Sequence, residues 1–239
     1  PPGLPLTSMI DVEFQALARL GAPVPDRATV LVHVGTAQVQ GTLALLGSAE
    51  AAPGSRHAAQ LRLDRPLAIL PGEPYVLRGF TVLDGYGKTL GGGRTLAPQR
   101  HRHRRHDALA RQWIDALRAG DLDAALDAGL LLAGEAPEPV DALPSRLPAT
   151  PAAVSAAVDR ALARGTAVLA GGALWSGQVL DAVAQACGPV LDAVHRERPA
   201  WPGVAPEELR TRVRASLAPE AFTAVIARAQ ALGVLVRVG

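Results

Sequence analysis

Apolar residues recur at every second position over much of the first 98 residues, which is the period of β-strands. The alternation is clearest in four segments rich in aliphatic and β-branched residues, at residues 29–34, 38–46, 58–63 and 75–80. Turn-forming sequences separate such runs: Pro53-Gly54, Pro71-Gly72, Asp84-Gly85 and Gly91-Gly92-Gly93. Five or six short strands at this spacing predict a small closed β-barrel over residues 1–98, because closure removes exposed strand edges.

From residue 107 onward the apolar positions follow the period of an α-helix. Capping residues, prolines and glycines predict helices at residues 107–117, 121–132, 150–164, 178–198, 206–216 and 219–231. Residues 167–175, with Gly171-Gly172 at their centre, predict a β-hairpin. Short helices followed by a small hairpin are typical of a winged helix. We therefore predict two of them in tandem, at residues 107–176 and 177–239, with residues 234–238 as a single strand of a truncated wing.

Charge is distributed unevenly along the chain. Of its 239 residues 49% are hydrophobic and the net charge is only +2, but residues 99–111 hold five arginines and one aspartate. Residues 112–239 carry 11 basic and 14 acidic side chains. We therefore assign residues 99–106 as a basic linker between the barrel and the helical half. The acidic balance of residues 112–198, with 6 basic and 11 acidic side chains, argues against a nucleic-acid-binding face on the first winged helix.

Motifs for catalysis, cofactors and metals are incomplete. Gly87-Lys88-Thr89 would end a phosphate-binding loop only with glycine at position 82, where Val82 stands. The spacing of His101, His103 and His106 suits a metal, but the interleaved arginines would repel a cation. One cysteine excludes a disulfide framework, and no apolar run is long enough to span a bilayer. We expect a soluble chain with no catalytic residue, cofactor, metal or membrane contact.

Residues 30–98 carry a set of motifs that together point to one family. They are Gly35-Thr36-Ala37, Ala59-Gln60-Leu61-Arg62-Leu63, Pro71-Gly72-Glu73 before a strand ending in Arg78, and Thr89-Leu90-Gly91-Gly92-Gly93 with Pro98 behind it. In this order they resemble the third domain of the bacterial selenocysteine-specific translation elongation factor, a β-barrel related to the third domain of elongation factor Tu. Residues 195–210 resemble the beginning of the second winged helix of that family.

The resemblance implies a middle fragment of a GTPase that carries selenocysteinyl-tRNA to the ribosome at recoded UGA codons. The GTP-binding domain, with its GTP and Mg²⁺, would precede Pro1, and the start without methionine agrees with a cut end. Domains beyond Gly239 would bind the selenoprotein mRNA hairpin. The fragment itself is expected to be no enzyme. We expect a cytoplasmic monomer that contributes tRNA-backbone contacts and a rigid spacer.

Two groups of residues are candidates for nucleic-acid contact. Carried over from the family, the first is the loop Gly85, Tyr86, Gly87 and Lys88 with Thr89 at the start of the next strand, where small glycines admit a phosphate and Lys88 supplies charge. An ordinary hairpin turn is the alternative. The second group is Arg100, Arg102, Arg104 and Arg105, which could neutralise several phosphates; a solvated linker is the alternative there.

A function from another class fits some of the same features. A winged-helix transcriptional regulator with an accessory barrel would also place helices and a hairpin after a β-domain. It would need a basic recognition helix, and Arg210, Arg212 and Arg214 are close together in the second winged helix. The sequence leaves the role of that second unit open.

Overall fold

The computed structural model describes residues 6–83, 87–201 and 203–237. Contacts divide the chain into two compact units. The barrel unit comprises Pro1–Ala128 and Ala142–Ser155, and the helical unit comprises Gly129–Asp141 and Ala156–Gly239. The predicted domain boundaries at residues 98, 106 and 176 remain a prediction.

Six strands of the barrel unit close into an antiparallel β-barrel. The strands of the unit are β1 (Leu6–Ala16), β2 (Val24–Pro25), β3 (Ala28–Val34), β4 (Ala37–Leu45), β5 (Glu50–Ala51), β6 (Arg56–Ala68), β7 (Pro74–Leu83) and β8 (Gly87–Pro98). Their order around the barrel is β1-β6-β4-β3-β7-β8, and β2 pairs separately with β5. The predicted closed barrel is therefore confirmed.

The barrel closes around inward-facing apolar side chains that alternate with outward-facing polar ones. On β1 the buried Val12 and Phe14 point into the core, and Leu43 and Leu61 meet them from β4 and β6. Burying each such side chain contributes about 1.5–3 kcal/mol. No strand was predicted before residue 29, so β1 is an unpredicted strand, although apolar and polar residues alternate from Ile10 to Ala16.

Gly91, Gly92 and Gly93 lie in the middle of β8, and their interpretation as a turn was wrong. They are needed for close approach. A Cβ atom on Gly91 or Gly93 would collide with backbone carbonyl oxygens of β1, and one on Gly92 with that of Tyr75 on β7. The glycine run therefore lets β8 lie close to both of its neighbours.

The helices begin and end close to the predicted positions. The first two are α1 (Ala108–Ala119) and α2 (Leu122–Ala133), and a 3₁₀ helix spans Val140–Ser145. Asp107 caps α1 by accepting a hydrogen bond from the Ala110 N–H, and Gly120 ends it at φ +71°. Then follows α3 (Pro151–Arg164), which begins at the predicted proline.

The helical unit contains a small sheet and three further helices. Its elements are β9 (Glu138–Pro139), β10 (Ala167–Ala170), β11 (Ala173–Ser176), α4 (Gly177–Glu197), α5 (Pro206–Arg214) and α6 (Pro219–Ala231). The predicted hairpin is β10–β11, and β9 adds an unpredicted third strand to it. Trp175, Leu180 and Phe222 belong to a core between this sheet and the helices. The winged-helix architecture is confirmed.

One predicted strand does not form. Residues 234–237 have no strand conformation, and residue 238 lies outside the described residues. Val234 and Leu235 instead pack on the core of the helical unit, and their N–H groups donate to the carbonyl of Ala229 in the last turn of α6. These two apolar residues cover the end of α6 as a hydrophobic cap, whereas Val236 is exposed.

Candidate nucleic-acid interface

The basic linker, residues 99–106 and called the junction segment below, lies against the outside of the barrel. Main-chain groups anchor it at both ends. The Gln99 N–H donates to the Met9 carbonyl at 2.8 Å, and the Gly47 N–H donates to the Arg105 carbonyl at 2.6 Å. The path of the segment is thus fixed by the barrel, while Arg100, Arg102, Arg104 and Arg105 remain exposed.

A buried polar cluster fastens the middle of the junction segment. Asp11, on the outer face of β1, is fully buried and accepts hydrogen bonds from the Trp113 indole N–H at 2.9 Å and from Gln60 Nε2 at 3.3 Å. His103 Nε2 lies 3.0 Å from the same carboxylate. Gln60 also donates to the His101 carbonyl at 2.9 Å. The cluster therefore joins strand, junction segment and α1 within the barrel unit.

The histidines of the junction segment do not form a metal site in this arrangement. His103 is buried against Asp11, whereas His101 and His106 are exposed. Across residues 6–83, 87–201 and 203–237, no group of three or more His, Cys, Asp or Glu side chains could hold a metal ion.

Arg105 is engaged with a carboxylate of the barrel. Its Nη2 donates to Asp26 Oδ2 at 2.6 Å and its Nε at 3.2 Å, and Asp26 also accepts from the Leu45 N–H. Burial alone would raise the pKa of Asp26, but hydrogen bonds from Arg105 and Leu45 and the charge of Arg105 hold that pKa below its usual value. Arg105 is therefore partly committed to an internal ion pair.

Arg62, on the outer face of β6, is a positively charged group with positively charged neighbours. Its Nε donates to Gln60 Oε1 at 3.1 Å and its Nη2 to the His103 carbonyl at 2.8 Å. Burial lowers the pKa of its guanidinium, and the charges of Arg102 and Arg27 lower it further, while that of Asp26 raises it. Among the described residues Arg62 has no carboxylate ion pair. An arginine remains protonated through such a shift.

Arg27 and Arg62 were missed by the sequence analysis. Arg27 belongs to no motif and precedes a strand, whereas Arg62 lies in the motif Ala59-Gln60-Leu61-Arg62-Leu63 but was not singled out as a contact residue. Only the pairing of β4 with β3 and β6 brings them to the junction segment.

The predicted contact loop is described only in part. Gly85 and Tyr86 lie outside the described residues, and Gly87, Lys88 and Thr89 begin β8. Lys88 and Thr89 are half-buried there. Contact of this loop with nucleic acid stays a prediction.

The arginines of α5 are neutralised within the helical unit. The nearest N···O distances are 2.6 Å for Arg210–Glu207, 3.1 Å for Arg212–Glu197 and 3.0 Å for Arg214–Glu135. Arg210 Nη1 also donates to the carbonyls of Ala215 and Leu217, both at 2.7 Å, beyond the end of the helix. These side chains stabilise the helical unit, and they do not form a free cationic surface.

In the described part of the chain, no helix is both long enough and apolar enough to cross a membrane.

Two family models match the sequence. One is described as "Selenocysteine-specific elongation factor, beta-barrel domain" and matches residues 9–102. The other is described as "Elongation factor SelB, winged helix" and matches residues 190–239. Neither describes a GTP-binding domain.

Similar proteins carry the same name. A selenocysteine-specific elongation factor of Desulfomicrobium baculatum is 28% identical over 211 residues, which are 83% of this chain and 31% of that protein. The crystal structure of a bacterial selenocysteine-specific elongation factor superposes with a TM-score of 0.62 at 15% identity, covering 95% of this chain and 33% of that one. At this identity the superposition shows the fold. The chain spans about a third of the length of these relatives.

Proposed function

We propose that this chain belongs to the selenocysteine-specific elongation factor family, whose models match residues 9–102 and 190–239, and that it forms the tRNA-contacting barrel and the helical spacer of such a factor. The factor would deliver selenocysteinyl-tRNA to the ribosome at recoded UGA codons. The proposal places this activity in the cytoplasm, with the chain as a monomer.

The observation that carries the proposal is the anchored junction segment. Its exposed arginines follow one another on a main chain that the barrel holds in place. Ordering the segment before binding lowers the entropic cost of bringing several guanidinium groups to successive phosphates. Such contacts to the RNA backbone position a nucleic acid without reading its bases.

The loop of Gly85, Tyr86, Gly87, Lys88 and Thr89 is proposed as a second contact with the tRNA backbone. Lys88 is the only lysine of the chain and the only basic residue in this loop, so its substitution removes the positive charge of the loop. If Lys88→Glu leaves tRNA binding by the complete factor unchanged, this assignment is wrong.

The helical unit is proposed as the spacer. Its Arg210, Arg212 and Arg214 are occupied by carboxylates, which disfavours a role in binding phosphates and also the alternative of a DNA-binding regulator. The proposal assigns the mRNA hairpin to other domains of the factor. We propose no role for the 239 residues of this chain in binding GTP or Mg²⁺.

Fluorescence anisotropy with three labelled nucleic acids tests the proposal. The 239-residue chain is titrated against selenocysteine tRNA, an elongator tRNA and duplex DNA at equal salt concentration. We expect both tRNAs to bind, and affinity to fall steeply as salt rises, because phosphate contacts release counterions. Replacing Arg210 with Gln is the matched control and should leave the dissociation constants within about twofold. Preferential binding of duplex DNA would overturn the proposal.

A further inference from the structure

Arg27 has an unusual backbone. Among the described residues it is the only non-glycine residue with positive φ, at +62°, and its side chain is 77% exposed. An L-residue in the left-handed region is strained, and such strain clusters at functional sites. Glycine would adopt this backbone conformation without strain, so an arginine at this position has a cost to the fold.

The strand register brings Arg27 beside Arg62. Arg62 on β6 pairs with Thr42 on β4, and Thr42 pairs with Thr29 on β3. Arg27 precedes Thr29 by two residues, and its N–H donates to the Leu43 carbonyl on β4. Adjacent strands lie about 4.8 Å apart, so two long side chains that flank β4 reach a common space.

Arg102 reaches the same group from the junction segment. The residues on either side of it are held by Gln60 and Arg62, through the carbonyls of His101 and His103. Its charge acts on Arg62 together with that of Arg27. The three guanidinium groups therefore come from three different parts of the barrel unit.

The group has a large excess of positive charge. The one carboxylate that acts on Arg62 is Asp26, which the structure pairs with Arg105 at 2.6 Å and, at the longer distance of 3.9 Å, with Arg27. Two of the five N–H groups of Arg62 are used, and both go to uncharged oxygens, which fix its guanidinium. A fixed cation surrounded by like charges is stabilised by an anion placed between them.

We propose that Arg27, Arg62 and Arg102 form a binding site for one backbone phosphate of an RNA ligand. The site deepens the proposed function and rests on it, since the RNA is the tRNA that the barrel contacts. Guanidinium groups bind phosphate oxygens in pairs of parallel hydrogen bonds, and the fixed Arg62 sets the position. The exposure of Arg27 and Arg102 suits a phosphate that belongs to a large ligand.

Two exposed arginines carry the test because their loss spares the packing. Arg27→Gly removes the charge and keeps the left-handed backbone, and Arg102→Gln changes an exposed position of the junction segment. The matched control is Arg94→Gln on β8, an exposed arginine that lies across the barrel from β4. The anisotropy titration uses the 239-residue chain with selenocysteine tRNA, with and without inorganic phosphate as competitor.

Each of the two variants is expected to raise the dissociation constant about fivefold and to reduce the salt slope by about 1, and the control to do neither. An elongator tRNA should show the same losses, because every RNA offers a phosphate. Unchanged binding by both variants, while the unaltered chain binds tRNA, would overturn the site and leave the proposed function standing. Absence of tRNA binding by the unaltered chain would overturn both. Binding of inorganic phosphate that Arg27→Gly weakens, together with tRNA binding that neither variant weakens, would identify a small-anion site and overturn the RNA assignment.

Discussion

Asp11 occupies an outward position of β1, where a strand residue of a barrel would ordinarily face water. The junction segment and α1 cover it completely, and they place His103 and Trp113 within hydrogen-bond distance of its carboxylate. A buried carboxylate is tolerated when its oxygens accept several hydrogen bonds. Asp11 therefore makes the attachment of these elements to the barrel specific.

Replacing Asp11 with Ala should lower the free energy of unfolding by about 3 kcal/mol, because the buried donors of Gln60 and Trp113 lose their acceptor. Urea unfolding followed by tryptophan fluorescence measures the effect. Asp115→Ala is the control, since this carboxylate on α1 is exposed, and its loss should change stability by at most about 0.5 kcal/mol. A midpoint for Asp11→Ala equal to that of the unaltered chain would contradict the role given to the cluster.

Asp26 makes stability depend on pH. Its pKa in the folded state is lowered from the ordinary 3.8, so its contribution is fully present above that value and is lost as the pH falls through the lowered pKa. The loss of stability caused by Asp26→Asn should therefore be larger at pH 6 than at pH 3, as measured by urea unfolding at both. Arg105→Gln should remove part of this pH dependence, because Arg105 is the main charged partner. A difference equal at both pH values would exclude the ion pair as its source.

At the scale of elements, β8 shows that a run of glycines can serve either of two structural roles, a turn or a close contact between strands. Glycine favours turns through its backbone freedom, and it also admits close contact because it lacks a side chain. Which property matters at Gly91–93 depends on Glu13, Gln15 and Tyr75, whose carbonyls belong to strands far away in sequence. Local pattern alone cannot supply that information.

Gly93→Ala should destabilise the barrel by about 2 kcal/mol, because its methyl group would force β8 away from the Glu13 carbonyl on β1. The control is Gly21→Ala, where an added Cβ meets nothing within 4 Å and the backbone is not left-handed. Thermal or urea unfolding of both variants measures the difference. Equal stability of the two variants would show that β8 can move without cost.

The helices were predicted well because their ends are encoded locally. Asp107 and Gly120 define α1 through contacts within a few residues, and Pro151 and Pro219 each begin a helix at the predicted place. The strands of the barrel pair over long separations, and β1 joins β6 and β8 from the far end of the domain. Alternation predicts such strands, but their partners and their outer-face contacts come only from the closed fold.

At the scale of the whole molecule, a net charge of +2 conceals how charges are used. In the helical unit Arg228 and Asp181 form a two-pronged ion pair, as Arg210 and Glu207 do in α5. In the barrel unit Asp26 is the one carboxylate that acts on Arg27, Arg62 and Arg105 together. Composition could locate the basic run near residue 100, but only the structure distinguishes arginines that are neutralised from those available to a ligand.

The anchoring of the junction segment has an evolutionary consequence. Its path is held through the carbonyls of His101, His103 and Arg105 and the N–H of Gln99, groups that nearly every amino acid provides. The side chain of His103 is buried against Asp11. Positions 100, 102 and 104 can therefore vary over generations without refolding the domain, so that selection can tune the affinity of this surface for its ligand one charge at a time.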